Sequence, residues 1–317
     1  MIDDTAPSLR ALPIDARGAV ITVGTFDGVH RGHQDVLQQL VARARETERP
    51  SVVVTFDPHP LEVLKPDIAP PLLTLHEEKL EMFVQSGVSY VAVLPFTHLL
   101  AAYEADTFVD EVLRDRYGLA ELLVGHDHGF GRGRLGDIDL LRTLAVDRGM
   151  AITCLEPIVA PDGRAISSTV IRRAVADGDL QTAADGLGRP YSVSGRVIAG
   201  DQRGRLLGYP TLNLASPPHR KLLPPDGVYA VRVQTPQGPF GGMLNLGPRP
   251  TFGDAVRRIE VHVFDASANW YGATVRLDFV ARLRETRAFS GMDALREQLV
   301  VDEANARRAL TMNLPAK

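Results

Sequence analysis

The chain has 317 residues, of which 44% are hydrophobic and 23% charged, and its formal net charge at pH 7 is -4. This composition is typical of a globular protein and argues against a disordered or fibrous chain, and the small negative charge gives no general attraction to nucleic acid or to anionic membranes. The length suits two domains better than one.

The sequence carries no signal for secretion or membrane insertion. No apolar stretch approaches the roughly 20 residues that a membrane span needs, and the polar, acidic start at residues 1–5 is unlike a signal peptide. The single cysteine, Cys154, excludes an internal disulfide, and we expect it to be an inert strand residue. We therefore expect a cytoplasmic protein without a nucleic-acid or membrane partner, and the sequence does not indicate an oligomeric state.

A turn rich in glycine and histidine follows the first predicted strand. The apolar run 19–23 predicts a short buried strand, and residues 24–33 read Gly-Thr-Phe-Asp-Gly-Val-His-Arg-Gly-His. Apolar residues then recur on one helical face, at Val36, Leu37, Leu40, Val41 and Ala44. His30 and His33 would share one side of the first helical turn, beside backbone N–H groups that favour anionic oxygens.

We interpret this turn as a binding site for phosphate, in which the two imidazoles donate to a triphosphate as negative charge builds up on it. The alternative is that the glycines only shape a turn and the histidines only lie on a helix surface. A lone pair of histidines would favour the alternative. The phenylalanine, aspartate and glycines around them favour the phosphate site.

Continuous apolar runs alternate with helical patterns up to about residue 180. Further strands are predicted at residues 52–56, 90–94, 122–124 and 152–155, and their apolar runs suit strands buried on both faces. Helices are predicted between them at residues 76–85, 105–116 and 138–148. This βαβ order predicts a Rossmann-like parallel sheet, in which ligands bind beyond the carboxyl ends of the strands.

Two more loops follow predicted strands at that edge. Residues 57–60, Asp-Pro-His-Pro, follow the second strand, and loop stiffening and ligand contact are equally good interpretations of them. Residues 125–137 follow the fourth strand and mix glycines with Arg132 and Arg134. Glycine allows the backbone to approach phosphate closely and arginine neutralises its charge, so this loop is a second phosphate-binding candidate.

The same loop leaves other interpretations open. Residues 131–136, Gly-Arg-Gly-Arg-Leu-Gly, match a dinucleotide-binding fingerprint, with Glu156 about 20 residues further on, so a hydride-transferring dehydrogenase is a rival. The first glycine lies several residues past the strand, which weakens that rival. His126 and His128 suggest a metal, but without an identifiable third ligand a polar loop is favoured.

Hydroxyl side chains precede a third helical segment. Residues 166–172 read Ile-Ser-Ser-Thr-Val-Ile-Arg before the helical residues 174–176. The hydroxyls would serve as ordinary N-caps, and with an arginine one turn later they would also suit a nucleotide triphosphate. The two interpretations are compatible.

The character of the sequence changes near residues 185–190, where turn residues introduce short alternating segments. These are residues 191–198, 227–233, 258–264 and 274–279, which favour an antiparallel sheet or small barrel. Residues 291–309 then look helical. The predicted apolar face of this helix comprises Met292, Leu295, Leu299 and Val300. We place the domain boundary between residues 185 and 186, which predicts domains at 1–185 and 186–317.

The four loop segments of the first half, taken in this order, resemble the adenylyltransferase module of the prokaryotic bifunctional riboflavin kinase/FMN adenylyltransferases, the FAD synthetases. The second half resembles the riboflavin kinases of the same family. Its matching motifs are residues 195–197, 200–208, 209–213 (Tyr-Pro-Thr-Leu-Asn), 245–252, 259–262, 271–272, and 283–285 with Phe289. The resemblance spans roughly residues 18 to 302.

The resemblance implies two successive reactions and a fold of a nucleotidyltransferase domain followed by a small antiparallel β-barrel kinase domain with a C-terminal helix. Riboflavin and ATP would give FMN and ADP, and FMN and ATP would then give FAD and pyrophosphate. Mg²⁺ would assist, and riboflavin, FMN, FAD and ATP would be the ligands. The second half has no GxxxxGK[ST] motif, so its phosphoryl transfer is not assigned to a P-loop.

The resemblance also implies roles for individual residues. Glu260 would take the proton from the ribityl 5′-hydroxyl, His30 and His33 would face the triphosphate of the second reaction, and Thr211 and Asn213 would help to hold Mg²⁺ and ATP phosphates. Nucleotide or phosphate contacts are implied at Gly24, Phe26, Asp27, Gly28, Asp127, Arg132, Arg134, Ser167, Ser168, Thr169, Arg172, Gly200, Gly204 and Gly208. Flavin contacts are implied at Asp57, Pro58, His59, Asn245, Arg249 and Arg284.

Several alternatives accompany these assignments. Asp27 and Asp127 suit either nucleotide-binding or structural positions. Without the family, Thr211 and Asn213 would be residues of a plain turn and Glu260 a solvent-facing strand residue. A departure from the family pattern is His128 with Gly129, where relatives often have an aromatic and a basic residue. Competing functions are a chain active in one half only, a non-catalytic flavin-binding regulator, and the NAD-dependent oxidoreductase.

Overall fold

The computed structural model describes residues 18–125, 138–156, 158, 159, 163, 165–200, 203–249, 254–266 and 268–312. By its internal contacts the chain divides into two compact units, Met1–Ser168 and Thr169–Lys317. Among the described residues, no helix has the length and apolar character needed to cross a membrane.

The first unit contains a five-stranded parallel sheet, as predicted. Its strands are β1 (Ala19–Val23), β2 (Ser51–Asp57), β3 (Tyr90–Pro95), β4 (Leu119–Gly125) and β5 (Ala151–Leu155), in the order β3-β2-β1-β4-β5. The chain winds from β1 outward to β3 and then returns to the other side of β1. The carboxyl ends of β1 and β4 therefore flank the point where strand order reverses, which is where sheets of this kind bind ligands.

Helices cover both faces of this sheet. They are α1 (Arg31–Glu46), α2 (Pro60–Leu64), α3 (His76–Ser86), α4 (His98–Ala101), α5 (Ala105–Thr107) and α6 (Ile138–Arg148), with a 3₁₀ turn at Pro66–Ile68 and a π-helical segment at Phe108–Arg114. The single helix predicted over residues 105–116 is thus divided into α5 and the π-helical segment. Apolar spacing does not distinguish a wider π turn from an α turn, so the sequence did not reveal this change.

The core explains why the central strands read as continuous apolar runs. In β1, Ala19, Ile21 and Val23 pack on one face of the sheet with the π-helical segment, whereas Val20 packs on the other face with α1 and α3. The outer strands depart from the predicted burial on both faces. In β5 only Leu155 is buried and Cys154 is exposed, because an edge strand has a neighbour on one side only.

The second unit contains a closed antiparallel barrel. Its strands are β6 (Ser192–Ile198), β7 (Leu212–Leu214), β8 (Gly227–Thr235), β9 (Gly238–Arg249), β10 (Asp254–Val263) and β11 (Thr274–Arg284), in the cyclic order β10-β7-β6-β11-β8-β9. The helices α7 (Ser168–Asp177), α8 (Leu180–Leu187) and α9 (Arg203–Leu206) precede or interrupt the strands, and α10 (Met292–Met312) follows them. The predicted fold class, a parallel α/β domain and a small barrel with a C-terminal helix, is confirmed.

Alternation along β10 separates the barrel interior from its outer wall. Ile259 and Val261 are buried and pair with apolar residues of β7 and β9, whereas Glu260 and His262 lie on the opposite face. The outer wall is covered by α10, whose Ala306 packs with residues of β8 and β9. The predicted apolar face of α10 is wrong at Met292 and Val300, which are exposed, because the packed face continues from Leu295 and Leu299 through Asp302 to Ala306.

Candidate active sites

The turn after β1 has a strained backbone that brings its two histidines together. Phe26 and Val29 adopt φ values of 51° and 38°, in the left-handed region that a β-branched residue rarely enters, and Gly28 has φ 84°. The turn leads into α1, for which His30 is the N-cap residue: its Nδ1 accepts a hydrogen bond from the backbone N–H of His33 at 3.3 Å. The two imidazole rings stack with their centroids 3.6 Å apart.

Glycine permits close approach at two points of this turn. A Cβ on Gly24 would lie 3.0 Å from the Phe26 ring, and a Cβ on Gly32 would lie 3.2 Å from the His30 ring. The Phe26 ring in turn meets His33 edge-on, with centroids 5.1 Å apart. The spacing of the motif therefore brings three rings into one compact cluster at the N-terminus of α1, with the two imidazoles stacked and the Phe26 ring edge-on to His33.

His33 is held in its neutral form. Burial, followed by the charges of His30 and Lys79, lowers the pKa of the His33 imidazole well below its usual range. Its Nδ1 is buried and has no hydrogen-bond partner among the described residues. A neutral imidazole at a helix N-terminus retains one N–H donor, which is suited to an oxygen of a bound phosphate.

Asp27 is engaged within the protein, which favours the structural interpretation of the two considered for it. Its buried carboxylate accepts hydrogen bonds from the backbone N–H groups of Leu73 and Thr74 and from the Thr74 hydroxyl, at 3.0 to 3.2 Å. The Thr74 Oγ1 accepts in turn from Gly28 N at 2.9 Å. Asp27 thus fixes the turn to a segment 46 residues away, a partner that sequence spacing could not reveal.

The hydroxyl-bearing segment at residues 166–172, which runs into α7, contacts the same turn through Ser168. The Ser168 hydroxyl donates to the carbonyl oxygen of Asp27 at 2.9 Å. The helix itself begins at Ser168, six residues earlier than the predicted helical core, so Thr169 and Arg172 lie in its first two turns. Thr169 is exposed, and Ser167 and Arg172 are partly exposed.

The residues after β2 have mixed surroundings. The Asp57 carboxylate is half-exposed and lies 3.5 Å from Nδ1 of His76, while Nδ1 of His59 accepts the backbone N–H of Leu61 and caps α2. The Asp57–Pro58 peptide bond is cis. The predicted nucleotide contacts Asp127, Arg132 and Arg134 lie outside the described residues, as do His126, His128, Gly129 and the glycine fingerprint at 131–136.

The second unit has a cavity of about 150 Å³ between the outer wall of the barrel and α10. Most of its surface is apolar, although half of the residues that line it have polar side chains. The polar lining residues are Tyr209, Thr211, Asn245, Glu260, His262, Arg284, Thr286, Arg287 and Asp302. The cavity thus brings together five of the predicted site residues, which are Gly204, Thr211, Asn245, Glu260 and Arg284.

Glu260 is the central member of a cross-strand row. It pairs with Asn213 of β7 on one side and with Asn245 of β9 on the other, so the three side chains lie on one face of the sheet. Glu260 is 8% exposed and Asn213 is 6% exposed. This burial contradicts the alternative in which Glu260 is an ordinary solvent-facing strand residue.

The Tyr-Pro-Thr-Leu-Asn segment is anchored by its neighbours. His262 Nδ1 lies 2.7 Å from the carbonyl oxygen of Pro210, which makes Nδ1 the protonated ring nitrogen, and the His262 ring meets Tyr209 edge-on. Burial, followed by the charge of Glu303, raises the pKa of the Tyr209 hydroxyl. These contacts place Thr211 at the cavity and Asn213 beside Glu260.

The predicted glycines of this unit have steric roles. A Cβ on Gly200 would lie 2.0 Å from Asn213 Nδ2, and a Cβ on Gly204 would lie 2.2 Å from the Tyr209 carbonyl oxygen. Gly208 has φ 85°. Arg249 ends β9, but its side chain is outside the described residues.

Models of two protein families match the chain. The FAD synthetase model matches residues 12–170 and the riboflavin kinase model matches residues 187–310. The bifunctional riboflavin kinase/FMN adenylyltransferase of Escherichia coli strain K12 is 38% identical over 300 residues, which cover 94% of this chain and 95% of that relative. This chain belongs to the bifunctional riboflavin kinase/FMN adenylyltransferase family.

Other relatives agree with this family assignment. The protein of the same description from Bacillus subtilis strain 168 is 34% identical over 294 residues, 92% of each chain. A crystal structure described as a macrolide-efflux protein from Streptococcus pneumoniae is 29% identical, with a TM-score of 0.82 over 97% of each chain, which supports the same fold. Both family domains are therefore present, and membership argues against the dehydrogenase interpretation.

Four residues that contact or line the candidate sites were not identified from the sequence. Lys79 lies buried at the carboxyl ends of β1 and β2, and Thr74 holds the turn through Asp27. In the cavity, Asp302 accepts a bidentate ion pair from Arg284 at 2.8 to 3.0 Å, and the Thr286 hydroxyl is buried without a partner among the described residues. Of these four, only Asp302 could have been recognised from the sequence, because it is a charged residue at a packed position of α10, between Leu299 and Ala306.

Proposed function

We propose that this chain converts riboflavin and ATP to FMN and ADP, and then FMN and ATP to FAD and pyrophosphate. The observation that carries the proposal is that both family domains occur on one chain and each has polar residues assembled where a ligand would bind. In the second unit these are Glu260 and its neighbours at the cavity, and in the first unit the stacked histidines at the start of α1.

For the first reaction, Glu260 would act as general base. The ribityl 5′-hydroxyl oxygen would attack the γ-phosphorus of ATP, ADP would leave, and the hydroxyl proton would pass to the Glu260 carboxylate. A mainly apolar cavity suits the flavin ring, and Asn245 and Arg284 would contact the flavin there. The ion pair with Asp302 keeps the Arg284 guanidinium in one orientation.

Thr211 and Asn213 fit the requirements of a Mg²⁺ site completed by ATP. Their side-chain oxygens are the hard ligands that Mg²⁺ prefers. No cluster of three His, Cys, Asp or Glu side chains among the described residues is arranged to hold a metal alone, so the phosphates would supply the remaining ligands. Mg²⁺ bound there would neutralise charge on the transferring phosphoryl group.

For the second reaction, positioning and charge stabilisation would supply most of the rate. An FMN phosphate oxygen would attack the α-phosphorus of ATP and pyrophosphate would leave, with no covalent enzyme intermediate. His30 and His33 would donate to the triphosphate, and Ser168, Thr169 and Arg172 would complete the nucleotide site. Asp57, Pro58 and His59 would contact the flavin.

The proposed domains are residues 1–185 and 186–317. The family models end and begin at residues 170 and 187, and the division by contacts falls between residues 168 and 169. These boundaries differ over residues 169–186, which contain most of α7 and most of α8. A cytoplasmic location also stays a prediction from the sequence.

A product assay tests this function. Purified full-length protein is incubated with riboflavin, ATP and MgCl₂, and flavins are separated by chromatography over time. We expect FMN to appear first and FAD to follow. A second incubation begins with FMN, so that FAD formed from FMN but not from riboflavin would show that only the adenylyltransferase half is active. Absence of both products would refute the assignment.

Paired variants then test the division of labour. We expect Glu260→Ala to abolish FMN formation and to leave FMN-to-FAD conversion intact, and His33→Ala to do the reverse. Glu297→Gln and His98→Ala remove an exposed carboxylate and an exposed imidazole from the same units and serve as matched controls. Equal loss of both activities in either variant would contradict two separate sites.

A further inference from the structure

Lys79 is a buried lysine of the first unit whose ammonium group connects the turn after β1 with the end of β2. Its Nζ donates to the carbonyl oxygen of Thr25 at 3.2 Å, to Oγ1 of Thr55 at 3.1 Å and to the carbonyl oxygen of Phe56 at 3.2 Å. An ammonium group has three donors, so these contacts use all of them. Thr25 lies just after β1, and Thr55 and Phe56 lie at the end of β2.

Burial of the Lys79 ammonium group costs free energy, because the charge is removed from water. Lys79 is 7% exposed and forms no ion pair within 4.0 Å in the described part of the chain. Burial lowers the pKa of the Lys79 ammonium, and the charges of Asp57 and Asp27 oppose that shift only in part. A buried charge held by neutral oxygens is unusual in a merely structural position, whereas groups in costly surroundings are concentrated at functional sites.

The contacts of Lys79 lead directly to the phosphate-binding turn. Thr25 precedes Phe26, whose left-handed backbone turns its ring toward His33. Thr55 reinforces the same connection, because its hydroxyl also lies 3.3 Å from the Thr25 carbonyl oxygen. Phe56, the third partner, precedes the predicted flavin contact Asp57. One ammonium group therefore fixes the spacing between the loop that carries the histidines and the loop that follows β2.

We propose that Lys79 is a positioning residue for FMN adenylylation, which holds the turn of residues 24–33 against the end of β2 so that His33 is aligned with the triphosphate. This rests on the proposed second reaction. Lys79 does not itself touch the reacting groups, because its donors are already engaged. Its removal should therefore reduce the rate of the bound complex more than the binding of either substrate.

The test is Lys79→Met in the full-length protein, which keeps most of the stem and removes the three donors. We expect kcat for FMN-to-FAD conversion to fall at least about tenfold, with KM for FMN and ATP within about threefold of wild type. Lys65→Met, at an exposed lysine of the same unit, is the matched control and should leave both constants unchanged. Wild-type kcat in Lys79→Met would overturn the proposal.

A second variant, Thr55→Val, removes the hydroxyl that Lys79 contacts and nearly preserves the shape of the side chain. We expect it to lower kcat for FMN adenylylation, and we expect Lys79→Met/Thr55→Val to be no slower than Lys79→Met alone, because both changes break one connection. If Lys79→Met fails to fold, Thr55→Val decides: an unchanged kcat overturns the proposal. Independent, multiplicative losses would also overturn it.

Titration of His33 adds a readout that loss of stability would not give. Of the charged groups acting on His33, Lys79 and His30 both lower its pKa. Removal of Lys79 should therefore shift the His33 imidazole titration, followed by NMR, to higher pH, and no shift would count against the proposed alignment. Failure of wild-type protein to make FAD from FMN would instead refute the proposed function, so the two failures are distinguishable.

Discussion

Gly200→Ala should disable the kinase reaction although the change adds a single methyl group. A Cβ at residue 200 would lie 2.0 Å from Nδ2, 2.4 Å from Cγ and 2.7 Å from Oδ1 of Asn213. A non-bonded carbon does not approach so closely, and Asn213 is buried, so its amide cannot rotate freely into solvent. Either the Asn213 amide or the backbone at Gly200 must therefore move by about 1 Å.

That displacement occurs directly beside Glu260, because Asn213 and Glu260 are opposite each other in the β7–β10 pair. A misplacement of about 1 Å in a catalytic group can reduce a rate roughly 100-fold. We therefore expect kcat for FMN formation to fall about 100-fold in Gly200→Ala. FMN-to-FAD conversion should be unchanged, because none of the residues proposed for it belongs to the barrel strands or to α10.

The assay follows FMN formation from riboflavin and FAD formation from FMN in parallel. Gly291→Ala is the matched control, since a Cβ there meets no heavy atom within 4 Å and the backbone is not left-handed. The double variant Gly200→Ala/Asn213→Ala should be no slower than Asn213→Ala, because the clash disappears with the amide. FMN formation by Gly200→Ala within about threefold of wild type would refute this reasoning.

Two further predictions concern single side chains. Thr286→Val should raise KM for riboflavin about tenfold without lowering the melting temperature. The buried Thr286 hydroxyl has no hydrogen-bond partner among the described residues, and bound flavin would supply one. An unchanged KM would contradict this. For His33, the folded-state pKa lies below 6.5, so the unfolded chain binds more protons as pH falls below 6.5 and stability declines there. Denaturant unfolding at pH 7 and pH 5.5 should show a larger loss in wild type than in His33→Gln, and equal losses would refute the assigned shift.

The parallel sheet was predictable because its central strands are buried on both faces and therefore carry uninterrupted apolar residues. The helix α1 was predictable for a related reason, since Leu37, Leu40, Val41 and Ala44 repeat with the helical period and are all buried. Edge strands lack this property. The strand β5 lies at the edge of the sheet and has a neighbouring strand on one side only. Its apolar run therefore predicts more buried residues than the structure has.

The cavity of the second unit was less predictable because its geometry depends on strand register. Asn213 and Glu260 are separated by 47 positions in sequence, and only the antiparallel pairing makes them neighbours. Nothing in the local pattern distinguishes Glu260 from an exposed strand residue. Motif resemblance identified it, and its burial beside the cavity that α10 also lines is the physical difference between this carboxylate and an exposed one on an alternating strand.

The charge arrangement of the first unit is compatible with the proposed phosphate site, although the motif contains an aspartate. A free carboxylate at Asp27 would repel a triphosphate, but its oxygens are occupied by N–H groups of Leu73 and Thr74 and by the Thr74 hydroxyl. The imidazole donors of His30 and His33 stand at the start of α1, where the positive end of the helix dipole adds to the attraction. The carboxylate shapes the turn, and the groups left to face an anion are donors.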